Sequence, residues 1–376
     1  MIYLAILLIT IYLSCRYDEG SILSDTNHTH SNREAKLFIF LAFISAINYN
    51  LGGDTPFYVS DFLDSKDLSH ISFQYFTHSR FQPGWQILIS TFRSITDNYI
   101  YYQIFHAILI NLGILLFLRK YSSAFYLSTL CYLTINYLEF NFEIQRESFC
   151  VIIALLVFHL WENNHKGWCI LFTILAFFIH KSAIVILFYP LINLIKLNRK
   201  NFVIFFVLSI ITPYLWTLIP NANLLMELAT GGEETFQKYV NQQINENFNL
   251  NYYIIYALSN LIFPFVVLFF AMRNRKSRCW PYILVYIFVR MLSVYSYGFY
   301  RITNYFIPFY WIGIGDAMIY IYHKYKIRKF VLCSLICIVL LYIYQNHLLA
   351  YESDRDRYVY ERYLPYVTIF ENSYIK

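Results

Sequence analysis

Ionisable side chains set inside or beside apolar runs are where this sequence has chemistry to offer, because desolvating a charge is costly unless a partner or ligand compensates it. The densest such place is the corner 139–148. Helical spacing of i, i+3 and i+4 would put Glu143, Arg146 and Glu147 on one face, directly ahead of an apolar run. Arg146 there suits an anionic diphosphate, with one glutamate positioning it. A structural knot in which Glu143 and Glu147 neutralise Arg146 is the plainer alternative. A second place is His180 with Lys181, between the apolar halves 170–179 and 184–194. His180 can act as a base near neutral pH and Lys181 can hold phosphate as a point charge, or the pair can simply turn the chain.

Arg290 lies well inside an apolar segment, and Arg290, Val294, Tyr297 and Arg301 follow the 3.6-residue period. One continuous helix would set the two arginines about 16 Å apart on one face. Such an arginine needs a partner, either a lipid diphosphate or a buried carboxylate such as Asp316 or Glu143. Gly52 and Gly53 permit a sharp turn that places Asp54 at the mouth of a bundle, with Tyr58 one turn on. Transfer of a group onto a hydroxyl needs a general base, and Asp54 or His180 would serve. Asp54 as an ordinary turn residue is the alternative. Arg80 precedes Pro83, Gly84 and Trp85, where a helix start would let Arg80 meet an anionic headgroup or snorkel at an interface.

The elements that must position these groups follow from composition. Of 376 residues, 58% are hydrophobic and 14% charged, against roughly a quarter charged in soluble domains. Mean hydropathy is +0.45. An all-α, polytopic membrane bundle is the expected class, with about twelve spans at 2–15, 37–51, 99–118, 122–138, 148–161, 167–180, 182–195, 201–219, 252–272, 280–297, 303–321 and 329–346. The apolar start is read as the first of these and not as a signal peptide. The short piece 84–96 carries Arg93 and is read as a re-entrant or interfacial helix.

Positive residues in short loops mark the cytoplasmic side. If 84–96 does not cross, the basic clusters Arg33/Lys36, Arg119/Lys120, 196–200, 273–278 and 323–329 all fall inside, which accounts for most of the net charge of +6 and removes support for nucleic-acid binding. The membrane domain then covers 1–347, with outer loops 52–83 and 220–250 and an extracytoplasmic tail 348–376. Many of the 37 tyrosines stand at the ends of apolar runs, where they anchor at headgroup depth. The seven scattered cysteines include no CxxC pair and do not form a disulfide framework.

In order along the chain, Gly53, Asp54 and Thr55 with Tyr58, then Arg80 to Trp85, then Gln145, Arg146 and Glu147, then 178–183, and lastly 300–306 resemble the EpsG-like family of Wzy-type polysaccharide polymerases, over roughly residues 35 to 310. The resemblance implies a multi-pass protein of the bacterial inner membrane that joins undecaprenyl-diphosphate-linked oligosaccharide repeat units into O-antigen, capsule or exopolysaccharide. It implies functional roles for Arg80, Arg146, His180, Arg290 and Arg301, and flippase and chain-length regulator proteins as partners. It also implies an acidic residue at position 82, where this chain has Gln82.

The resulting expectation is a glycosyltransferase without a cofactor. Asp54, His180, Glu143 and Glu147 are the catalytic candidates. Arg80, Arg146, Lys181, Arg290, Arg301, Tyr58 and Trp85 are the binding candidates. No metal motif is evident, although Asp54, Glu143 and Glu147 would hold a divalent ion if they converged. A membrane enzyme adding single sugars and a flippase of the lipid-linked unit are the competing readings. The crowding of charge at one rim rather than at the midplane favours chemistry over passage.

Overall fold

The computed structural model describes all residues except 1, 19–26, 73–74, 77–80, 217–253, 255, 275, 294–296, 345–362, 365 and 371–376. Its described elements are helical: α1 (Ile2–Tyr17), α2 (Asn27–Ala46), α3 (Thr55–Asp64), α4 (Pro83–Ile95), α5 (Tyr99–Tyr121), α6 (Phe125–Ile135), α7 (Gln145–Glu162), α8 (Lys166–Ile179), α9 (Arg199–Trp216), α10 (Phe263–Asn274), α11 (Trp280–Leu292), α12 (Tyr297–Thr303), α13 (Ile307–Tyr325) and α14 (Lys329–Tyr344). The pairing of Asn48 with Thr368 is an isolated bridge, and no β-strand occurs among the described residues.

The described apolar runs other than 182–195 lie largely on these helices. Among the described residues, only α5 is both long and apolar enough to cross a bilayer unaided; α1, α6, α8, α11 and α14 are shorter apolar helices. The expected number of about twelve crossings is therefore not reproduced by length alone. The segment 182–195 differs most from a plain span, being a 3-10 helix over Lys181–Phe188 that runs into the short turn Tyr189–Ile192.

Helices α6 and α13 form the centre, with every residue of α6 from Tyr126 to Ile135 buried. Outer helices turn large apolar groups outward instead: α8 exposes Trp168, Ile170, Leu171, Ile174 and Phe178, and α14 exposes Phe330, Val331 and Ile338. A surface of this kind is stable against lipid tails and costly against water.

The basic groups collect at one end. Arg33 lies over the Tyr17 ring (4.0 Å), Arg119 pairs with Glu34 (3.0 Å), Lys120 meets His159 (3.3 Å) and Arg278 pairs with Glu162 (2.7 Å). Asp18 caps α6 there, accepting from the backbone N–H of Tyr126 and Leu127 (3.1 and 2.7 Å). Asp316, weighed above as a partner for Arg290, belongs to this end, where it accepts from Ser123. The opposite end holds the loop after α2, the corner 139–147, His180 and the C-terminal stretch 363–370. That stretch is tied down by Tyr49 N–H to the Val367 carbonyl (2.9 Å) and by the Tyr3 hydroxyl to the Tyr363 carbonyl (3.3 Å).

Candidate functional site

The corner before α7 is a π-helical turn, Glu139–Glu143, closed by the Ile144 N–H on the Glu139 carbonyl (3.0 Å). Its wider rings break the helical register. The expected shared face is accordingly split: Glu143 accepts from the Tyr363 hydroxyl of the C-terminal stretch, Arg146 donates to Gln82 Oε1 (3.0 Å), and Glu147 Oε1 accepts from Asn304 Nδ2 (2.9 Å).

Arg146 is held by neutral groups. Its guanidinium lies over the Phe81 ring at 4.1 Å and acts electrostatically on the Tyr58 hydroxyl. Its Nε is buried without a partner among the described residues, which leaves a donor for an anion. Burial pushes the Tyr58 phenol above its ordinary value and Arg146 pulls it back.

The loop that carries Tyr58 is locked onto the π turn. Gly52 has φ +90°, and a Cβ there would stand 2.6 Å from the Phe142 carbonyl oxygen. Thr55 Oγ1 donates to the carbonyls of Leu51 and Phe142. Asp54, half-buried at the N-cap of α3, makes no side-chain capping bond and lies within electrostatic reach of Tyr58.

His180 ends α8 in an extended conformation. Its Nδ1 accepts from the Ser182 N–H (3.3 Å) and stands 2.6 Å from Ser182 Oγ, which in turn meets the Tyr305 hydroxyl (2.9 Å). A ring nitrogen that accepts a backbone N–H cannot carry a proton, so the neutral imidazole bears its hydrogen on Nε2. Arg146 and Arg301 both act electrostatically on His180, and the same two arginines act on Glu147. Gly84 seats α4 on the end of α8, since a Cβ there would lie 2.8 Å from the Phe178 carbonyl. That contact brings Gln82 to Arg146 beside the turn into His180.

Tyr58, Arg146, Glu147, His180 and Arg301 are thus brought together from α3, α7, the α8 end and α12. Trp85 is fully buried among Tyr58 and Tyr102 and donates to Asp61 (2.9 Å), so it supports α3 from below. Lys181 is exposed next to His180. Arg80 lies outside the described residues. Among the described residues, no three His, Cys, Asp or Glu side chains stand together where they could hold a metal.

Arg290 forms a neighbouring node. Its Nε donates to Asn260 (2.8 Å) and its guanidinium faces the Tyr300 ring at 4.8 Å, while the Tyr300 hydroxyl donates to Glu139 (3.2 Å). The expected continuous helix from Arg290 to Arg301 does not occur. Helix α11 stops at Leu292, where the Ser293 N–H closes on the carbonyls of Val289 and Arg290 and Tyr256 donates to the Arg290 carbonyl. Val294 is outside the described residues, and Tyr297 and Arg301 belong to α12. Tyr300 and Arg301, adjacent on α12, link the two nodes.

Sequence reasoning places Glu139, Ser182, Asn304 and Tyr305 inside the stretches 139–148, 178–183 and 300–306 without giving any of them a role, and it passes over Asn260. Glu139 has a signal, as a further acid in the charged corner. The others are neutral polar residues that carry no charge pattern.

The EpsG family model matches residues 36–368. No curated protein and no solved structure matches the chain.

Proposed function

We propose, for a chain that belongs to the EpsG family of Wzy-like polymerases and is thereby a polysaccharide polymerase-like membrane protein, that it joins lipid-diphosphate-linked oligosaccharide units at the outer face of the bacterial inner membrane. In this reading the Arg146 end of the bundle faces outward and the basic end faces the cytoplasm. The observation that carries the reading is the buried Nε of Arg146, partnerless among the described residues, beside Glu147, which is bonded to Asn304 just past α12, at the end of the bundle that also holds His180.

The reaction follows from these groups. An acceptor hydroxyl attacks the anomeric carbon of the donor, the new glycosidic bond forms as the bond from that carbon to the diphosphate oxygen breaks, and the bonding pair leaves on the diphosphate. Arg146 and Arg301 stabilise the charge that develops on that oxygen, and the His180 Nε2–H donates to it. The proton of the acceptor hydroxyl passes to Asp54, since the His180 Nδ1 is already occupied by Ser182. Glu147 spaces the two arginines, and Arg290 with Glu139 and Tyr300 extends the cationic path. Glu143 fastens the C-terminal stretch, Lys181 meets the headgroup at the rim, and Tyr58 and Trp85 brace Arg146.

The test is Arg146→Ala in the producing bacterium, with the lipid-linked intermediates extracted and sized. Single complete repeat units on the outer leaflet, at normal protein abundance, are expected. Truncated units would instead identify a single-sugar transferase, units trapped inside would identify a flippase, and normal polymer would leave Arg146 structural.

A further inference from the structure

Beside the arginine site opens a cavity of about 710 Å³ between the loop after α2, the outer side of α3, the start of α5 and Ile369 of the C-terminal stretch. That size is within the range of about 300–1,000 Å³ usual for ligand sites. Its lining differs in kind from the arginine site. The ionised residue in it, Asp97, is 89% exposed and already paired with Arg93 (2.7 Å). Among the described residues no lysine, arginine or histidine contributes. The walls are amides and hydroxyls, among them Asn48, Asn98, Gln103 and Thr55, interleaved with the apolar side chains of Val59 and Leu63.

Several of these groups are held rigidly. Gln103 Nε2 donates to the carbonyls of Ala46 and Asn48 (both 2.7 Å), and Asn98 caps α5 by accepting from the Ile100 N–H (3.0 Å). Among the described residues an anion finds no countercharge in such a place, and a lipid tail would leave the amide oxygens and N–H groups not used in these bonds against hydrocarbon. A pyranose, with a hydroxyl rim and apolar C–H faces, satisfies both kinds of wall. The half-buried ring of Tyr49 adds an aromatic surface of the type that packs on such faces.

The cavity shares elements with the reaction site. Thr55 directly follows Asp54, and the Tyr99 hydroxyl donates to Gln145 Oε1 (2.8 Å), one residue before Arg146. We infer that this cavity is a subsite for the uncharged sugar portion of the lipid-linked chain, while the adjoining arginines hold the anionic carrier; the inference rests on the polymerase reading above.

The test uses the full-length protein in producing cells, with a photo-crosslinking amino acid at Leu63 or Ile100, both of which line the cavity, and at Ile87 of α4, which is exposed but does not line it. After irradiation and purification, periodate staining should reveal carbohydrate-bearing adducts from Leu63 and Ile100 and none from Ile87. Adducts carrying lipid without carbohydrate, or equal carbohydrate labelling at Ile87, would overturn the inference. In parallel, Leu63→Trp, which narrows the cavity from a half-exposed position, should shift the polymer to several-fold shorter chains at unchanged abundance. An unaltered length distribution would count against the subsite. If Arg146→Ala leaves single repeat units yet Leu63 captures no glycan, the subsite alone fails. If Arg146→Ala leaves normal polymer, the polymerase site and this inference fall together.

Discussion

Gly52→Ala is the sharpest perturbation of the site that touches none of its charged groups. At φ +90° an L-residue is strained by roughly 1–2 kcal/mol. The added Cβ would also stand 2.6 Å from the Phe142 carbonyl oxygen and must withdraw to about 3.4 Å for ordinary contact. Phe142 lies in the buried π turn and cannot yield easily, so the loop bearing Asp54 has to move. A displacement approaching 1 Å in a reacting group costs up to about 100-fold in rate, which is about 2.7 kcal/mol on the barrier. The expected outcome is therefore polymer formation slowed tenfold to hundredfold, with protein abundance reduced little. The assay is pulse-labelled chain growth in membranes, normalised to the amount of protein. Gly167→Ala is the control, because a Cβ there meets nothing within 4 Å. Growth at the wild-type rate in Gly52→Ala, or a loss that merely tracks protein abundance, would refute the idea that this loop positions a reacting group.

His180→Gln should keep about a tenth of the chain-growth rate, because the amide can donate where Nε2–H does, while His180→Ala should fall at least tenfold further; equal inactivity of both would restore His180 as the base. Asp18 gives a pH signature at the basic end. Burial, opposed by Ser14, the backbone N–H groups of α6 and Lys329, pushes its carboxyl up to about 7 from an ordinary value of 3.8. Because the folded-state value is raised, the stability it contributes is full below pH 3.8 and is lost as pH rises through about 7. Thermal stability of the detergent-solubilised protein should decline across that window, and Asp18→Asn should flatten the decline; an unchanged slope would remove Asp18 as its cause.

The parts of the site that are legible in the sequence are those where physics makes absence of a partner expensive. Arg146, Glu147, His180 and Arg301 interrupt apolar runs, and the cost of desolvating such groups is enough by itself to point to mutual contact. What stays hidden has two causes. A π turn inserts its extra backbone spacing without any sequence mark, so the helical period gives Glu143 and Arg146 one face, whereas they turn to Tyr363 and Gln82. The same period carries the helix through Arg290 too far, because its end is set by Tyr256 and Ser293, neutral groups whose hydrogen bonds to the last carbonyls leave no periodic trace. Composition marks the tail as a separate polar segment, whereas residues 363–370 dock by backbone pairing and tyrosine hydroxyls, interactions that any sequence could supply.

Two arginines of the basic end and Arg146 at the opposite end have partners of different kinds. At the basic end Arg119 and Arg278 each meet a carboxylate, Glu34 and Glu162, so those cations are compensated within the protein. Arg146 is instead oriented by the carbonyl oxygen of Gln82, the ring of Phe81 and the hydroxyl of Tyr58, none of which carries a charge. Glu147, within its electrostatic reach, is bonded to Asn304 and acts on Arg301 as well. The neutral contacts hold the Arg146 guanidinium in one geometry, with its Nε buried and without a hydrogen-bond partner among the described residues. A fixed, under-compensated cation has its largest interaction free energy with a charge that arrives from outside, and larger still with one that grows during reaction, because no reorganisation of the site opposes it. Position 82 bears on that balance: a carboxylate there would pair with Arg146, whereas Gln82 accepts the same hydrogen bond without a charge.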